Sequence, residues 1–234
     1  MSWLLCLTPL LPLLVALPGG KWALPLLAPL TLYPAFRARV RAGDTWSAWT
    51  LGMVWAFLLS AGVILLTLWL PEIARDGIWN GEPYRQEMFG WIATGVGREN
   101  DPSAFIPQHL LHLGVFVVLV WASGGYLGLA LGAALVGYMS YFVGSYAGES
   151  GHPFLGATAA WVPWSVLRVG AFVLLGALFS RPLLRRKLWP FERRDFRLMA
   201  LAAGGIVADI VLKTLLAPAY GRFLREMARS VLTP

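Results

Sequence analysis

The stretch from Thr45 to Leu70 is almost entirely apolar and holds no charged residue. A helix of about 20 such residues crosses the hydrocarbon core of a bilayer, which is about 30 Å thick. Over the whole chain, 58% of residues are hydrophobic and 13% are charged, whereas soluble domains carry about 25% charged residues. The sequence therefore predicts an all-α, polytopic integral membrane protein with a single membrane domain over residues 1–234.

Short connections separate the apolar segments, and we count about seven transmembrane helices. The first two are short and proline-rich and form a hydrophobic hairpin over residues 1–36, which either spans as two helices or re-enters. The first segment has the length of a signal peptide, but no basic residue precedes it and no small-x-small cleavage site follows it. The seven predicted spans are Trp3–Leu17, Trp22–Phe36, Thr45–Leu70, Gln108–Ser123 (extended back to Ala104), Gly125–Tyr146, Ala157–Ser180 and Leu198–Tyr220.

Arginine and lysine cluster in two connections, Arg37–Arg41 and Arg181–Arg197. Cytoplasmic loops carry an excess of these residues, so both loops are predicted to be cytoplasmic and to contact anionic lipid. With seven spans, the N-terminus is then cytoplasmic and the C-terminus lies outside a plasma or inner membrane. Nucleic-acid binding is not expected, because no soluble basic domain is present. The single cysteine, Cys6, excludes an internal disulfide and a cysteine-based zinc site.

The longest connection, residues 71–108, is predicted to lie on the outer face. Within it, Tyr84, Met88, Trp91 and Ile92 recur at helical spacing, which predicts a short amphipathic helix in the membrane interface, with Trp79 and Trp91 as anchors. The same topology brings the loop Ala147–Pro153 to that face.

All three histidines fall near the outer boundary. His109 and His112 share one helix face, and His152 lies in the other outer loop. Imidazoles with nearby carboxylates are typical ligands of a divalent metal, most often zinc, and an open position on such a metal activates water. We therefore predict His109, His112 and His152 as metal ligands, with Glu99 or Glu149 as general base. The alternative is that these residues are ordinary interfacial groups.

Two short motifs resemble those of intramembrane proteases. Gly148-Glu149-Ser150-Gly151 resembles the Gly-x-Ser-Gly motif of rhomboid proteases, but the later histidine that serves as base there is missing. The segment Phe105–His109 resembles the Phe-x-x-x-His element of CAAX-type membrane glutamate proteases, but the preceding Glu-Glu-x-x-x-Arg element is missing. Neither family is assigned.

A second polar group lies deeper in the predicted spans. Arg168 and Asp209 are each about eleven residues into antiparallel helices, and Lys213 is one turn beyond Asp209. Charges at this depth are costly unless they are paired or functional. They form either a structural ion pair or a proton or ion relay.

Three functional classes follow from these patterns. The first is a metal-dependent membrane hydrolase or transferase acting at the outer leaflet on a lipid or membrane-embedded peptide. The second is a transporter or permease subunit that uses the layer of Arg168, Asp209 and Lys213. The third is a non-catalytic assembly subunit, and the small-xxx-small motif Gly128–Gly132 offers a face for a membrane partner or a second copy.

Overall fold

The computed structural model describes residues 3–17 and 19–232, and all regular structure in that part is helical. A 3-10 helix, Trp3–Ala16, opens the described chain, and a 3-10 turn, Arg98–Asn100, precedes the sixth α-helix. The α-helices are α1 (Gly20–Leu27), α2 (Pro29–Ala42), α3 (Thr45–Trp69), α4 (Pro71–Gly77), α5 (Gly81–Thr94), α6 (Pro102–Ser123), α7 (Tyr126–Glu149), α8 (Pro153–Ala160), α9 (Pro163–Phe179), α10 (Arg181–Arg185) and α11 (Arg193–Leu232).

Five described segments are long and apolar enough to cross a membrane: α3, α6, α7, α9 continued by α10, and α11. They are compatible with a multi-pass membrane protein. The predicted total of seven would also need the N-terminal hairpin to span, and that count stays a prediction. We call the end of the bundle that carries Arg37–Arg41 and Arg181–Arg197 the basic end, and the opposite end, with α4, α5 and α8, the loop end.

Prolines shape the N-terminal hairpin. Pro9 and Pro12 lie inside the 3-10 helix, where they lack the N–H that an α-helical hydrogen bond needs. The helix packs beside α1 and α2 and against α3, and Thr8 Oγ1 lies 3.0 Å from Thr31 Oγ1. Trp55 of α3 donates from Nε1 to the Ala28 carbonyl at 3.2 Å. The described part of this N-terminal segment therefore docks on the bundle.

Caps and turns end the central helices where the sequence indicates. Asp44 accepts a hydrogen bond from the Ser47 amide at 3.1 Å, and Asp101 accepts one from the Ser103 amide at 2.9 Å. Both are N-caps, and aspartate is among the residues preferred at that position. Gly124 and Gly125 have φ values of 61° and 101°, so glycine permits the tight turn between α6 and α7.

Two predicted boundaries are wrong. The predicted span Ala157–Ser180 is interrupted. Val162 precedes a proline and is therefore extended, so α8 ends at Ala160 and α9 begins at Pro163. The predicted span Leu198–Tyr220 was too short, because α11 begins at Arg193 and continues without a break to Leu232.

The predicted amphipathic helix is α5, and its apolar stripe faces protein. Met88, Trp91 and Ile92 are buried. Trp91 donates from Nε1 to the Asn100 side chain at 3.0 Å and packs against Gly221 of α11. Trp91 is therefore not the interfacial anchor that we predicted, whereas Trp79 is partly exposed.

Gly62 tests the docking of the N-terminal helix. A Cβ at Gly62 would overlap the Pro9 carbonyl, so Gly62→Ala should lower thermal stability by about 1–3 kcal/mol through overpacking. The matched control is Gly90→Ala, since Gly90 is an exposed glycine of α5 with open space around it. Alanine there should be neutral or stabilising by up to about 1 kcal/mol. Equal melting temperatures for the two variants in detergent would contradict this docking.

Candidate functional site

An elongated cavity of about 340 Å³ lies inside the bundle. Helices α2, α3, α6, α7, α9 and α11 contribute to its wall, together with α5 and the turn Arg98–Asn100. On α7 the lining runs from Gly125 to Met139, an axial length of about 21 Å at 1.5 Å per residue. The volume falls at the lower end of the range for small-molecule sites, about 300–1,000 Å³.

The two ends of the cavity differ in chemistry. Toward the basic end the wall is apolar or glycine and includes Phe36, Phe116, Val120 and Phe172. Toward the loop end it carries polar and charged groups, namely Asn80, Tyr84, Glu87, Arg98, Glu99, Gln108, His109, His112, Tyr138, Arg168 and Lys213. The cavity is therefore amphipathic along its length.

His109 is at the centre of a buried network. Its Nε2 contacts Arg168 Nη1, and its Nδ1 lies 3.4 Å from Asp209 Oδ2. A guanidinium has no acceptor, so Nε2 must accept from Arg168, and the single ring proton is then on Nδ1 and faces the Asp209 carboxylate. The geometry assigns a neutral imidazole.

Arg168 and Asp209 meet across α9 and α11. Arg168 Nε lies 3.8 Å from Asp209 Oδ2, and Arg168 Nη2 donates to Ser165 Oγ at 3.0 Å. The Asp209 side chain is completely buried. Among the described residues, neither of its carboxylate oxygens has a hydrogen-bond partner of good geometry. Charge, rather than a set of short hydrogen bonds, holds this carboxylate in place.

Lys213 has a different partner from the one predicted. Its Nζ donates to Glu99 Oε1 at 2.8 Å and lies 4.4 Å from the centre of the Phe105 ring. Both side chains of the ion pair are buried. The Phe105 ring is also 5.5 Å from the His109 ring, so it links the two polar clusters.

Several polar groups on the cavity wall are free to meet a ligand. Within residues 3–17 and 19–232, the side chains of Gln108, His112, Tyr84 and Tyr138 make no hydrogen bond or ion pair. Burial raises the pKa of Tyr84 well above its ordinary value, so its phenol stays protonated. Four uncharged side chains therefore line the cavity beside ions that are already paired.

Most of the predicted site residues lie together in the structure. They come from the two groups that we predicted at different depths, the outer histidine cluster and the deeper charged group. Glu99, His109 and His112 line the same cavity as Arg168 and Lys213, with Asp209 directly behind His109. Glu149 does not join them, because it lies at the loop end and pairs with Arg85 at 3.5 Å. That pair does confirm that the two predicted outer loops converge at one end of the bundle.

The predicted metal set is not assembled. His152 is exposed at the start of α8, while both nitrogens of His109 face Arg168 and Asp209. In the part of the chain that the structure describes, no group of three or more His, Cys, Asp or Glu side chains is placed to hold a metal ion. Zinc binding by His109, His112 and His152 would require these side chains to rearrange.

Sequence reasoning missed that the histidines and the deeper charges share one level. Once α9 begins at Pro163, Arg168 is only about 8 Å below its start, and His109 is about 10 Å below the start of α6. Pro163, preceded by Val162, was the available signal. Tyr84, Tyr138 and Gln108 carried no recognisable motif.

The Gly128–Gly132 motif of α7 is turned toward the inside of the bundle. A Cβ at Gly128 would overlap Val120 of α6, and Gly132 lines the cavity. The predicted contact with a membrane partner or a second copy through this face stays a prediction. Gly128 does allow close helix packing, between α6 and α7.

A clamp at the loop end holds α5 against α7. Glu82 accepts two hydrogen bonds from Arg85, each at 2.8 Å, and one from the Tyr141 hydroxyl at 3.0 Å. The hydrogen bond from Arg85 is the main cause that lowers the pKa of Glu82 to about 2. This clamp positions Tyr84 and Glu87 at the mouth of the cavity.

Comparison with known proteins yields no relative. No family model, no curated protein and no solved structure matches this chain.

The Lys213–Glu99 pair predicts a non-additive mutant cycle. Lys213→Met leaves the buried Glu99 carboxylate unpaired, so it should cost about 3–5 kcal/mol of stability. The double variant Lys213→Met/Glu99→Gln removes both charges and should recover most of that loss. Thermal unfolding of the four proteins in detergent measures the coupling, and strictly additive losses would contradict a direct buried pair.

The lowered pKa of Glu82 predicts acid sensitivity. Its contribution to stability is fully present above the ordinary pKa of 4.5 and is lost as pH falls from about 4.5 toward about 2. Melting temperatures measured from pH 6 down to pH 3 should therefore fall less steeply for Glu82→Gln than for the wild type. The control is Glu72→Gln, since Glu72 is more exposed and pairs only with Arg75; it should leave the slope unchanged.

Proposed function

We propose that this chain is a membrane hydrolase or transferase that binds one lipid and acts on it by acid–base chemistry at the polar end of the cavity. The observation that carries this proposal is the joining of an apolar slot to a polar cluster that contains an unpartnered imidazole.

The apolar half of the cavity favours a lipid chain. From Val136 to Gly125 on α7 the slot is about 16 Å long, which matches one leaflet of a hydrocarbon core about 30 Å thick. Aromatic and aliphatic side chains gain free energy when they cover apolar ligand surface. An ion or a sugar has little apolar surface to bury, so contact with this wall would not contribute to its binding free energy.

His112 is the best candidate for the general base. It lines the cavity, it is half-buried, and its ring nitrogens have no partner among the described residues. His109 is less suitable, because Arg168 and Asp209 engage both of its nitrogens. An imidazole can accept a proton near neutral pH and return it to a leaving group.

Lys213 and Glu99 complete the polar cluster. Lys213 uses one of its three N–H donors on Glu99, and the remaining donors can stabilise negative charge that develops on a carbonyl or phosphate oxygen. Arg168 acts as a positioning residue, since its guanidinium is already engaged with His109, Ser165 and Asp209. This scheme uses Glu99 and does not need Glu149 or His152.

A transporter is the second candidate. The observation that favours it is the fully buried Asp209 carboxylate beside Arg168, because titratable groups inside spans often mark proton relays. Against it, the slot below this layer is lined by Phe116, Val120 and Phe172 and offers no polar path. A lipid, with one polar and one apolar part, suits both halves of the cavity.

The orientation in the membrane is also a proposal. We place the basic end in the cytoplasm, where its arginines meet anionic lipid, and the loop end outside a plasma or inner membrane. The C-terminus, which follows α11 at the loop end, is then outside and the N-terminus inside. The reactive cluster opens toward the outer leaflet.

The proposal predicts a selective loss of activity in one histidine variant. Purified protein in lipid nanodiscs is incubated with a panel of phospholipids and acyl esters, and products are identified by mass spectrometry. His112→Ala should lower turnover by about 10²–10⁴-fold, as expected for loss of a general base. The matched control is His152→Ala, since His152 is exposed and outside the cavity; it should keep wild-type turnover.

Two other outcomes would overturn the proposal. If His112→Ala keeps full turnover while Asp209→Asn abolishes proton-coupled uptake in proteoliposomes, the transporter is correct. If metal analysis finds one divalent ion per chain that is lost in both His112→Ala and His152→Ala, the metal-dependent reaction predicted from the sequence is correct instead.

A further inference from the structure

We propose that Gly132 determines which lipids enter the cavity, by keeping the slot open for a single long acyl chain. This inference rests on the proposed lipid-binding function and narrows its substrate class. It is carried by the position of Gly132 and by the space around it.

Gly132 lies midway along the slot. It is about 10 Å along α7 from Gly125 at the basic end and about 10 Å from Met139 beside the polar cluster. Any chain that runs from His112 to the basic end must pass it. A side chain at this position would therefore divide the slot in two.

The space beside Gly132 is empty. A Cβ built there meets no atom within 4 Å, although the residue is half-buried. Gly90, Gly114 and Gly204 also have open space, but all three are exposed on the outside of the bundle. Of these four glycines, Gly132 alone borders the cavity.

Helix packing does not explain this glycine. Glycine in a helix interior costs about 1 kcal/mol relative to alanine. One turn earlier, Gly128 offsets that cost by its close contact with Val120, whereas Gly132 has no such contact. The remaining role of the missing side chain is to leave room for a ligand.

The width and end of the slot define the substrate. Phe36, Val120 and Gly125 lie at its basic end, and the whole cavity, with its polar end included, holds about 340 Å³. That space suits one straight acyl chain and is small for the two chains of an ordinary phospholipid. The inferred substrate class is a lipid with a polar head at His112 and Lys213 and one acyl chain past Gly132.

Photo-crosslinking tests this assignment directly. The probe is octadecanoic acid with a diazirine at its terminal carbon, added to full-length protein in nanodiscs, and the labelled peptides are identified by mass spectrometry. Wild type should be labelled near Phe36 and Val120. In Gly132→Phe the labelling yield at these sites should be at least about tenfold lower than in wild type. The reason is that each methylene kept out of the slot loses its apolar burial.

Chain-length competition gives the second readout. Unlabelled octanoate should compete with the probe equally well in wild type and Gly132→Phe, because it stops short of residue 132. Unlabelled octadecanoate should compete at least about tenfold more weakly in the variant. Gly114→Phe is the control, since Gly114 faces away from the bundle on α6, and Gly132→Leu is a smaller substitution in case phenylalanine prevents folding.

The outcomes separate this inference from the proposed function. If wild type is labelled at the basic end and both Gly132 variants are labelled equally, the lipid cavity stands and the role of Gly132 is wrong. If folded wild type gives no labelling of cavity residues, the lipid-binding function itself is wrong.

Discussion

The arrangement of the bundle depends on how three helices neutralise one buried carboxylate. Asp209 of α11 is completely buried, and the His109 imidazole of α6 and the Arg168 guanidinium of α9 lie within 4 Å of its carboxylate. A lone charge at such depth would cost several kcal/mol of stability. If either Asp209 or Arg168 were replaced by an uncharged residue, the other would remain as an unpaired buried charge. The three side chains therefore specify the depth and the rotation at which α6, α9 and α11 meet. Lys213, one turn along α11, extends this control to the loop end through Glu99.

This network also gives the two histidines of α6 different surroundings. His109 has the sequence signature of a metal ligand or a base, yet its two nitrogens are occupied by the contacts that hold the helices together. His112, one turn further along α6, faces the cavity without such contacts. The paired charges around it bring polarity into an apolar interior without leaving an uncompensated ion. An imidazole without a partner among the described residues can thus lie beside an apolar slot within one small bundle.

Local sequence signals predicted the fold better than the site. The long apolar runs, the caps at Asp44 and Asp101 and the turn at Gly124–Gly125 are local features, and the structure agrees with them. The pairing of Lys213 with Glu99 joins residues 114 positions apart, and no local pattern encodes it. The depth of Arg168 was misjudged because apolar residues continue through α8 and hide the break before Pro163. A single boundary error of this kind separates groups that the fold brings into contact.

A cavity of this size in a well-packed interior needs a reason to persist, because protein interiors leave few voids larger than a water molecule. Here α6 is held at both ends of the slot: His109 binds it to the polar network near the loop end, and the close contact of Val120 with Gly128 binds it to α7 near the basic end. Between these two points the wall cannot collapse without breaking a buried charge network or separating two helices. A ligand that fills the slot stabilises the folded state at no cost in rearrangement. The rigidity of the polar network and the openness of the apolar slot are consequences of the same helix placement.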